Sequence, residues 1–321
     1  YDMRIAVFGA TGFVGSYIVD AIVDAGMTPA CLVRSGSQDR LRHAERSIVV
    51  NGHIDDNAAI LRTLDGADAV IYNIGILREI PKRGVTFEAL HYDAARRTME
   101  LARQAGVKRF VLMSANGVKP GGTAYQRTKF RAEQVLADIG LEWTVFRPSV
   151  IFGAPRGRME FATQLWHDVI DAPLPAPLFY RGVFPANAGD FELSPVHVRD
   201  VADAFVAALQ RRETIGATYS LGGPVTLSWR AILETIAAAV GKKKLMIPVP
   251  VAGIQAAARL LDWNAAFPIT RDQIEMLLEG NTCSSEAFAS MGIEPVSFDV
   301  ESLRYLNSSN KENESWQQNA A

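Results

Sequence analysis

A chain of 321 residues can hold one large domain or two modest ones, and 48% hydrophobic with 21% charged residues is typical of a soluble globular protein. The formal net charge of −2 excludes a general electrostatic attraction to nucleic acid or to an anionic membrane. The two cysteines stand in no metal-binding spacing, so we expect a reducing compartment, no disulfide framework and no metal site.

Short apolar runs alternate with longer amphipathic segments over the first half of the chain. The predicted strands are residues 4–8, 30–33, 47–50, 68–72, 109–113 and 143–146. The predicted helices are residues 13–25, 55–64, 87–105 and 125–139. Strands that alternate with helices favour right-handed crossovers and a parallel, doubly wound sheet. We therefore predict an α/β fold, with a Rossmann-type NAD(P)-binding domain over residues 1–150.

The pattern changes after residue 150. Six prolines fall between residues 153 and 195, which predicts a long loop region that carries binding surface. A helix in the second part of 196–209, a strand at 219–221 and mostly helical structure from residue 228 are predicted next. The sequence thus indicates a smaller, mainly helical C-terminal substrate part over 151–306. Within it, 195–224 are predicted to return to the Rossmann body, and the polar residues 307–321 to form a disordered tail.

A glycine-rich loop follows the first predicted strand. It reads Gly9-Ala10-Thr11-Gly12-Phe13-Val14-Gly15. In such loops Gly9 allows the tight turn, Gly12 lets the backbone approach a pyrophosphate, and Gly15 lets the helix pack closely on the sheet. The helix that follows offers free N–H groups and its positive dipole end to phosphates. The loop therefore predicts a dinucleotide-binding site.

The end of the second strand indicates which dinucleotide is bound. A site that prefers NAD(H) usually has an acidic residue there to hold the ribose hydroxyls. This chain has Arg34, with Arg40 and Arg42 close behind, and an arginine can bind a 2′-phosphate through its fork of donors. We therefore favour NADP(H) over NAD(H), with a solvated surface arginine as the alternative.

Three polar residues after the fifth strand suggest acid/base chemistry. Ser114 ends that strand, and Tyr125 and Lys129 follow at a spacing of four, which places the last two on neighbouring turns of one helix face. A cation there would lower the tyrosine pKa, as a general acid/base acting on a carbonyl or alcohol requires. The serine hydroxyl could hold the same substrate oxygen. The alternative is a chance surface pair.

The combined motifs resemble a known superfamily. They are residues 9–15, Asn73-Ile74-Gly75, Ser114, Tyr125 with Lys129, Arg147-Pro148-Ser149-Val150-Ile151-Phe152-Gly153 and residues 195–202. Together they resemble the short-chain dehydrogenases/reductases, specifically the extended or atypical, epimerase-like branch. Within that branch the sequence is most similar to the group related to the 39-kDa accessory subunit of respiratory complex I. The likeness extends over nearly all of residues 3–300.

The resemblance implies roles for individual residues. It makes Tyr125 the acid/base, Lys129 the ribose ligand and modulator of the tyrosine pKa, and Ser114 the group that positions the reacting oxygen. It also places Asn73 and Gly75 at the cofactor, and Pro148 and Ser149 near the nicotinamide.

The chain departs from the family pattern at two places. Gly52 is followed by His53 where many members have an acid that contacts adenine, which leaves Asp55 as the substitute. Extended members often have an asparagine in the helix before the fifth strand, whereas this chain reads His91-Tyr92-Asp93.

Three functions remain open at this point. The first is an NADP(H)-dependent oxidoreductase that acts on an unidentified small molecule. The second is a non-catalytic, dinucleotide-binding accessory or assembly protein of a respiratory complex. The third is an NAD(P)-dependent epimerase.

Expectations for location and partners follow from two segments. A strand-like run from Met3 leaves no targeting peptide in this sequence, so we expect a cytoplasmic location. The near-apolar run 245–258 contains two prolines and is too short for a transmembrane segment. Beside it, Lys242, Lys243 and Lys244 form either a solvated turn or a surface for peripheral membrane or respiratory-complex association. No nucleic-acid partner is expected.

Overall fold

The computed structural model describes residues 3–253 and 271–308, which divide into two compact units. Of these residues, the first unit contains 3–148, 198–221 and 285–294. The second unit contains 149–197, 222–253, 271–284 and 295–308. The chain thus leaves the first unit after residue 148 and returns to it twice; the short third segment had no indication in the sequence.

The described strands are β1 (Arg4–Phe8), β2 (Thr28–Val33), β3 (Ile48–Asn51), β4 (Ala69–Tyr72), β5 (Arg109–Met113), β6 (Glu142–Pro148), β7 (Ile151–Phe152), β8 (Ala176–Tyr180), β9 (Glu192–Leu193), β10 (Val196–His197), β11 (Ala217–Leu221), β12 (Leu227–Ser228) and β13 (Met246–Pro250). The described α-helices are α1 (Phe13–Asp24), α2 (Asn57–Leu64), α3 (Ala94–Gln104), α4 (Ala124–Asp138), α5 (Phe161–Leu165), α6 (Val198–Gln210), α7 (Trp229–Ala239), α8 (Arg271–Glu279), α9 (Glu286–Met291) and α10 (Tyr305–Ser308). Within the described ranges, no helix is both long and apolar enough to span a bilayer.

The first unit is built on a seven-stranded sheet in the order β11-β6-β5-β4-β1-β2-β3. Every neighbouring pair is parallel. The strand order reverses beside β1, which is the topological switch point at which doubly wound sheets bind ligands. This architecture confirms the predicted Rossmann-type parallel sheet.

The apolar runs predicted as strands are the centre of the first unit's core. The residues of β4 and β5 are all buried, and Phe8, Tyr72 and Phe110 are among the largest fully buried side chains. Because the strands are parallel, their carboxyl ends meet at one edge of the sheet. The glycine loop after β1, the Asn73 loop after β4 and Ser114 after β5 therefore lie along the same edge.

Arg109 links the returning segment to the sheet. Its guanidinium donates to the Glu142 carbonyl at 2.8 Å and to the Thr144 hydroxyl at 2.7 Å, both on β6. It also donates to the Ala208 carbonyl of α6 at 2.9 Å and to the Thr214 hydroxyl at 3.0 Å. A buried guanidinium requires several acceptors, and here they come from both segments.

One predicted helix contains a different local structure. Residues 87–105 were expected to form a single α-helix, but Glu88–Asp93 form a π-helical turn that precedes α3. π-Helical turns inside helices are uncommon and often occur at functional sites. The turn contains the buried His91.

The second unit is less helical than the sequence indicated. It holds three two-stranded ladders: parallel β7 with β10, antiparallel β9 with β12, and parallel β8 with β13. The predicted long loop of 153–195 therefore contains α5, β8 and β9. Its core includes Trp229, whose ring stacks with Phe191 at 5.4 Å and Phe179 at 6.1 Å between centroids.

The segment predicted to be mostly helical from residue 228 contains the strand β13. Pro248 and Pro250 lack the N–H that a helix interior needs, whereas a strand with one neighbour can place such residues on its free side. Of the run 245–258, residues 254–258 lie outside the described residues, as do residues 309–321 of the predicted tail. Asn307, at the start of that tail, donates its side-chain amide to the Ala239 carbonyl at 2.6 Å.

Candidate functional site

The glycine loop has different steric needs at its three glycines. Gly9 has φ +100°, and a Cβ there would lie 2.9 Å from the Asn73 carbonyl carbon. A Cβ on Gly15 would lie 1.9 Å from the Gly9 carbonyl oxygen, which leaves no room for any side chain. A Cβ on Gly12 would meet the same oxygen at 3.4 Å, an ordinary contact. The fold therefore demands glycine at 9 and 15, whereas at 12 it would tolerate a Cβ.

The loop leads directly into the N-terminus of α1. Gly12 is the N-cap residue, and neither a side-chain cap nor an acidic first-turn residue is found there among the described residues. Thr11, Phe13 and Val14 are half-buried, while Gly15 is buried. A helix N-terminus without a neutralising acid favours an anion.

Arg34 lies at the rim of a cleft near the ends of β2 and β3. The cleft has a volume of about 490 Å³ and is lined by Arg34, Ser35, Ser37, Gly52 and His53. Within the described residues the exposed Arg34 side chain has no hydrogen-bond or ion-pair partner. Arg42, by contrast, is bound to Asp20 at 2.7 Å. Of these two arginines, Arg34 is the one whose donors remain available.

Asp55 has a partner of its own. Its carboxylate lies 2.7 Å from the His53 ring nitrogen Nδ1, and both side chains are exposed. The next residue, Asp56, caps α2 by accepting the Ala58 N–H at 2.9 Å. His53 thus connects Asp55 to the cleft that Arg34 lines.

The loop after β4 lies against the lysine predicted from the sequence. The Asn73 N–H donates to the Phe8 carbonyl at 2.9 Å, which continues the β1–β4 ladder into the loop. At Gly75, a Cβ would lie 3.7 Å from the Lys129 Nζ and 3.8 Å from the His91 Nε2. Gly75, Lys129 and His91 therefore share one small space.

Helix α4 holds Tyr125 and Lys129 in its first two turns. Thr123 and Gln126 form a reciprocal capping box, which fixes where the helix starts. Lys129 is buried, and its Nζ donates to the Met113 carbonyl at 3.3 Å, beside Ser114. Burial lowers the Lys129 pKa to about 8, and the nearby negative charge of Glu133 opposes that decrease.

Tyr125 is held through its ring. The ring contacts Phe87 and His91 edge-on, at 5.6 and 5.2 Å between centroids, and the Lys129 Nζ lies 5.6 Å from its centroid. Burial raises the Tyr125 pKa. The sequence-based expectation was the opposite, because it placed the lysine charge beside the hydroxyl rather than beside the ring.

His91 is a site residue that the motif analysis did not select. It is buried, and its Nε2 accepts the Ile76 N–H at 3.0 Å. The ring proton must then lie on Nδ1, which faces the Thr128 hydroxyl at 3.5 Å. Burial, and next the charge of Lys129, lower the His91 pKa to about 2, so the imidazole is neutral. The only indication in the sequence was the absence of the family's asparagine.

Glu133 is the second residue that sequence reasoning missed. Its buried carboxylate accepts the Ser114 hydroxyl, and Arg147 from β6 donates to both of its oxygens, with Nε at 3.0 Å from Oε1. The Arg147 pKa is raised, first by this hydrogen bonding. Glu133 follows Lys129 by four residues on α4, so the motif could have been extended by one helical turn to find it.

The chain is similar to several known proteins. A family model described as NAD(P)H-binding matches residues 9–166. The 40 kDa subunit of mitochondrial NADH-ubiquinone oxidoreductase from Neurospora crassa is 28% identical over 312 residues, 94% of this chain and 78% of that protein. A ceramide reductase from Caulobacter vibrioides is 28% identical over 264 residues, 81% of this chain and 78% of that protein.

Solved structures share the whole architecture. UDP-glucose 4-epimerase from Thermus thermophilus, in complex with NAD, has a TM-score of 0.70 and 19% identity, and the match covers 95% of this chain and 97% of that one. This chain therefore has the NAD(P)-binding Rossmann fold that this epimerase shares. Its homologues include complex I subunits, so the resemblance inferred from the motifs is confirmed.

Two predicted cofactor residues lie at the end of β6. The Pro148 carbonyl accepts the Asn116 N–H at 2.9 Å, which ties the strand to the segment after Ser114. Ser149 is the first residue of the second unit, and there its hydroxyl donates to the Asn281 carbonyl at 2.8 Å. The Ser149 hydroxyl proton is therefore already used within the protein.

Proposed function

We propose that this protein is an NADP(H)-dependent oxidoreductase that exchanges hydride with a carbonyl or alcohol group at Ser114, Tyr125 and Lys129. The observation that carries the proposal is the Lys129 ammonium, which is buried and 3.3 Å from the Met113 carbonyl. Burying an ammonium costs free energy. A cation held beside Gly75 and the Tyr125 ring therefore favours a role in binding and proton transfer.

The residues of the first unit fit a dinucleotide. The glycine loop and the α1 N-terminus would hold the pyrophosphate, because this helix end has no side-chain cap and no acidic residue in its first turn. Asn73, Gly75 and Lys129 would hold the nicotinamide ribose, with Asp55 near the adenine. When bound, the nicotinamide supplies or accepts the hydride.

Arg34 supports NADP(H) over NAD(H). The guanidinium has no partner within the described residues and lines a cleft together with Ser35 and Ser37. A 2′-phosphate there would accept hydrogen bonds from both kinds of donor. An NAD(H) ribose carries no charge that Arg34 could pair with.

Tyr125 transfers the proton in this proposal. Since burial raises its pKa, the hydroxyl keeps its proton at neutral pH and acts as the acid during carbonyl reduction. In the oxidation of an alcohol, the tyrosine must first lose that proton. The Lys129 charge then stabilises the phenolate.

A non-catalytic accessory role is the second candidate. Two observations favour it: the relative from a respiratory complex matches 94% of this chain, and the Ser114 hydroxyl already donates to Glu133. In that role the dinucleotide would stabilise the fold and no substrate would react.

Tyr125→Phe separates the two candidates. The change removes the hydroxyl and keeps the ring, so the contacts with Phe87 and His91 remain. We expect NADPH to bind as before, while carbonyl reduction decreases by about two to four orders of magnitude. Fluorescence titration of NADPH and initial rates on a panel of ketones and aldehydes measure the two quantities.

Complementation of a deletion strain is a second test that separates the oxidoreductase from the accessory role. Gly12→Asp blocks the phosphate loop and serves as the reference for loss of cofactor binding. If Tyr125→Phe complements fully, Gly12→Asp does not, and no substrate turns over, the accessory role is correct and the proposed oxidoreductase is wrong.

A further inference from the structure

Glu133 lies at the centre of a polar cluster that no motif includes. Its carboxylate accepts hydrogen bonds from Ser114 at the end of β5 and from Arg147 on β6. It is also the one negative charge that acts on Lys129 in this cluster, from four residues along the same helix. Burying a carboxylate together with charged neighbours costs desolvation free energy. Such a cluster therefore indicates a role beyond packing.

We propose that Glu133 is a positioning residue of this site, which orients the Ser114 hydroxyl and places a negative charge one helical turn along α4 from Lys129. The catalytic part of this inference rests on the proposed function. Arg147 holds the carboxylate in place from β6 through both of its oxygens.

The contact with Ser114 determines what that serine can bind. A hydroxyl has one proton, and an ionised carboxylate can only accept hydrogen bonds. Because Ser114 donates to Glu133, its oxygen presents lone pairs alone to any other partner. A substrate alcohol can donate to those lone pairs, whereas a carbonyl cannot. In this orientation Ser114 cannot donate to a substrate carbonyl, so the carbonyl receives its hydrogen bond from Tyr125.

The charge of Glu133 also acts on the protonation of Lys129. Burial favours the neutral amine, and Glu133 favours the ammonium. Of the other groups around Lys129, His91 in the π-helical turn is neutral, Tyr125 on α4 is protonated, and the end of β5 contributes a carbonyl. Arg147, which is bound to Glu133, adds a positive charge. The Lys129 charge thus depends on the Glu133 carboxylate and on the cation bound to it.

Two variants of this ion pair should change the Lys129 pKa in opposite directions. Glu133→Gln keeps an oxygen for Ser114 and removes the negative charge, so the pKa should fall by about one pH unit or more from about 8. Arg147→Gln removes a positive charge and leaves Glu133, so the pKa should rise. NMR titration of the full chain labelled with ¹³Cε-lysine measures both values, with Lys129 assigned by Lys129→Arg.

A purely structural ion pair makes a different prediction. If the pair only joins α4 to β6, both variants loosen the same contact and should shift the Lys129 signal in the same direction. Glu100→Gln breaks an exposed pair with Arg96 on α3 and should leave the titration unchanged. Shifts of equal sign in the two variants, or no shift in Glu133→Gln, would overturn the proposal. If Glu133→Gln does not fold, a lowered pKa in Arg147→Gln overturns it and a raised one supports it.

NADPH affinity then links the cluster to the cofactor. If the ammonium binds the ribose, wild-type affinity should be highest below pH 8 and fall as pH rises through the Lys129 pKa, with the fall beginning at lower pH in Glu133→Gln. A wild-type chain that binds neither NADPH nor NADH contradicts the proposed function. The NMR titration still decides the role of Glu133, because it requires no nucleotide.

Discussion

Lys129 and Arg34 are both cations at the carboxyl edge of the same sheet, yet their surroundings differ. Lys129 is buried, donates to the Met113 carbonyl and has the Glu133 charge nearby. Arg34 lies in an open cleft, exposed, with no side-chain partner among the described residues. Protein groups surround the lysine, whereas water or a ligand supplies the partners of the arginine side chain.

Burial explains why these two cations respond differently to change. Near Lys129 few water molecules screen a neighbouring charge, so altering Glu133 changes a pKa. Near Arg34 water and salt screen most interactions, so a bound phosphate is the partner that can hold it. Variants in the buried part should therefore affect folding or protonation, and variants in the exposed part should affect ligand affinity alone.

The glycine loop gives the largest expected difference between buried and exposed positions. Gly15→Ala places a Cβ 1.9 Å from the Gly9 carbonyl oxygen, so α1 must move away from β1, at a cost of about 3 kcal/mol in unfolding free energy. Gly12→Ala places its Cβ at 3.4 Å, so stability should change by less than about 1 kcal/mol while NADPH binding weakens. Urea unfolding and NADPH titration of both variants measure the contrast. Equal stabilities would mean that the loop adapts to either side chain.

Arg34→Asp tests the exposed cation. The variant should lose about 1.5–3 kcal/mol of NADPH binding, roughly tenfold to hundredfold in affinity, and bind NADH as well as or better than NADPH. Arg42→Asp is the matched control, because Arg42 is also exposed but is bound to Asp20. NADPH and NADH titrations of the three proteins check this. Equal affinity of the unaltered chain for both nucleotides would contradict the assignment of Arg34.

The lysines of residues 242–244 should show the smallest effect. They precede the exposed Leu245, but Lys242 pairs with Asp171 and Lys244 donates to the Ala172 carbonyl. If this surface contacts anionic lipid, each free lysine adds about 1 kcal/mol, and sedimentation with phosphatidylserine vesicles should be weak and decrease with salt. Lys243→Glu should reduce it further. Absence of sedimentation at low salt would leave the segment as a solvated turn.

The fold of the first unit was predictable because its strands are separated by amphipathic helices. β5 coincides with the predicted residues 109–113, and the other predicted strands of the sheet overlap those observed. The second unit was not predictable in this way. Its ladders contain strands of two to five residues, too short for a periodicity, and each pairs with a segment distant in sequence.

The candidate site was predictable where a motif has a fixed spacing. The glycine loop, Ser114, Tyr125 and Lys129 follow from residue type and position. Glu133 and His91 did not, because their importance comes from burial and from contacts between elements. The direction of the Tyr125 pKa was missed for the same reason: a spacing of four does not show whether the ammonium faces the hydroxyl or the ring.

The hydrogen bonds of Arg109 also have a consequence for biosynthesis. While the nascent chain is elongating, β5 and β6 can pair, but Ala208 and Thr214, which complete the arginine's acceptors, have not yet been translated. The edge of β6 that pairs with β11 likewise stays unpaired until β11 has been synthesised, and a large part of the second unit is synthesised first. At about 5–20 residues per second, that interval lasts for seconds, during which an unpaired strand edge is exposed to aggregation. Cotranslational folding of the first unit therefore cannot finish in N-to-C order, and chaperones that shield strand edges should engage this chain while the second unit is being made.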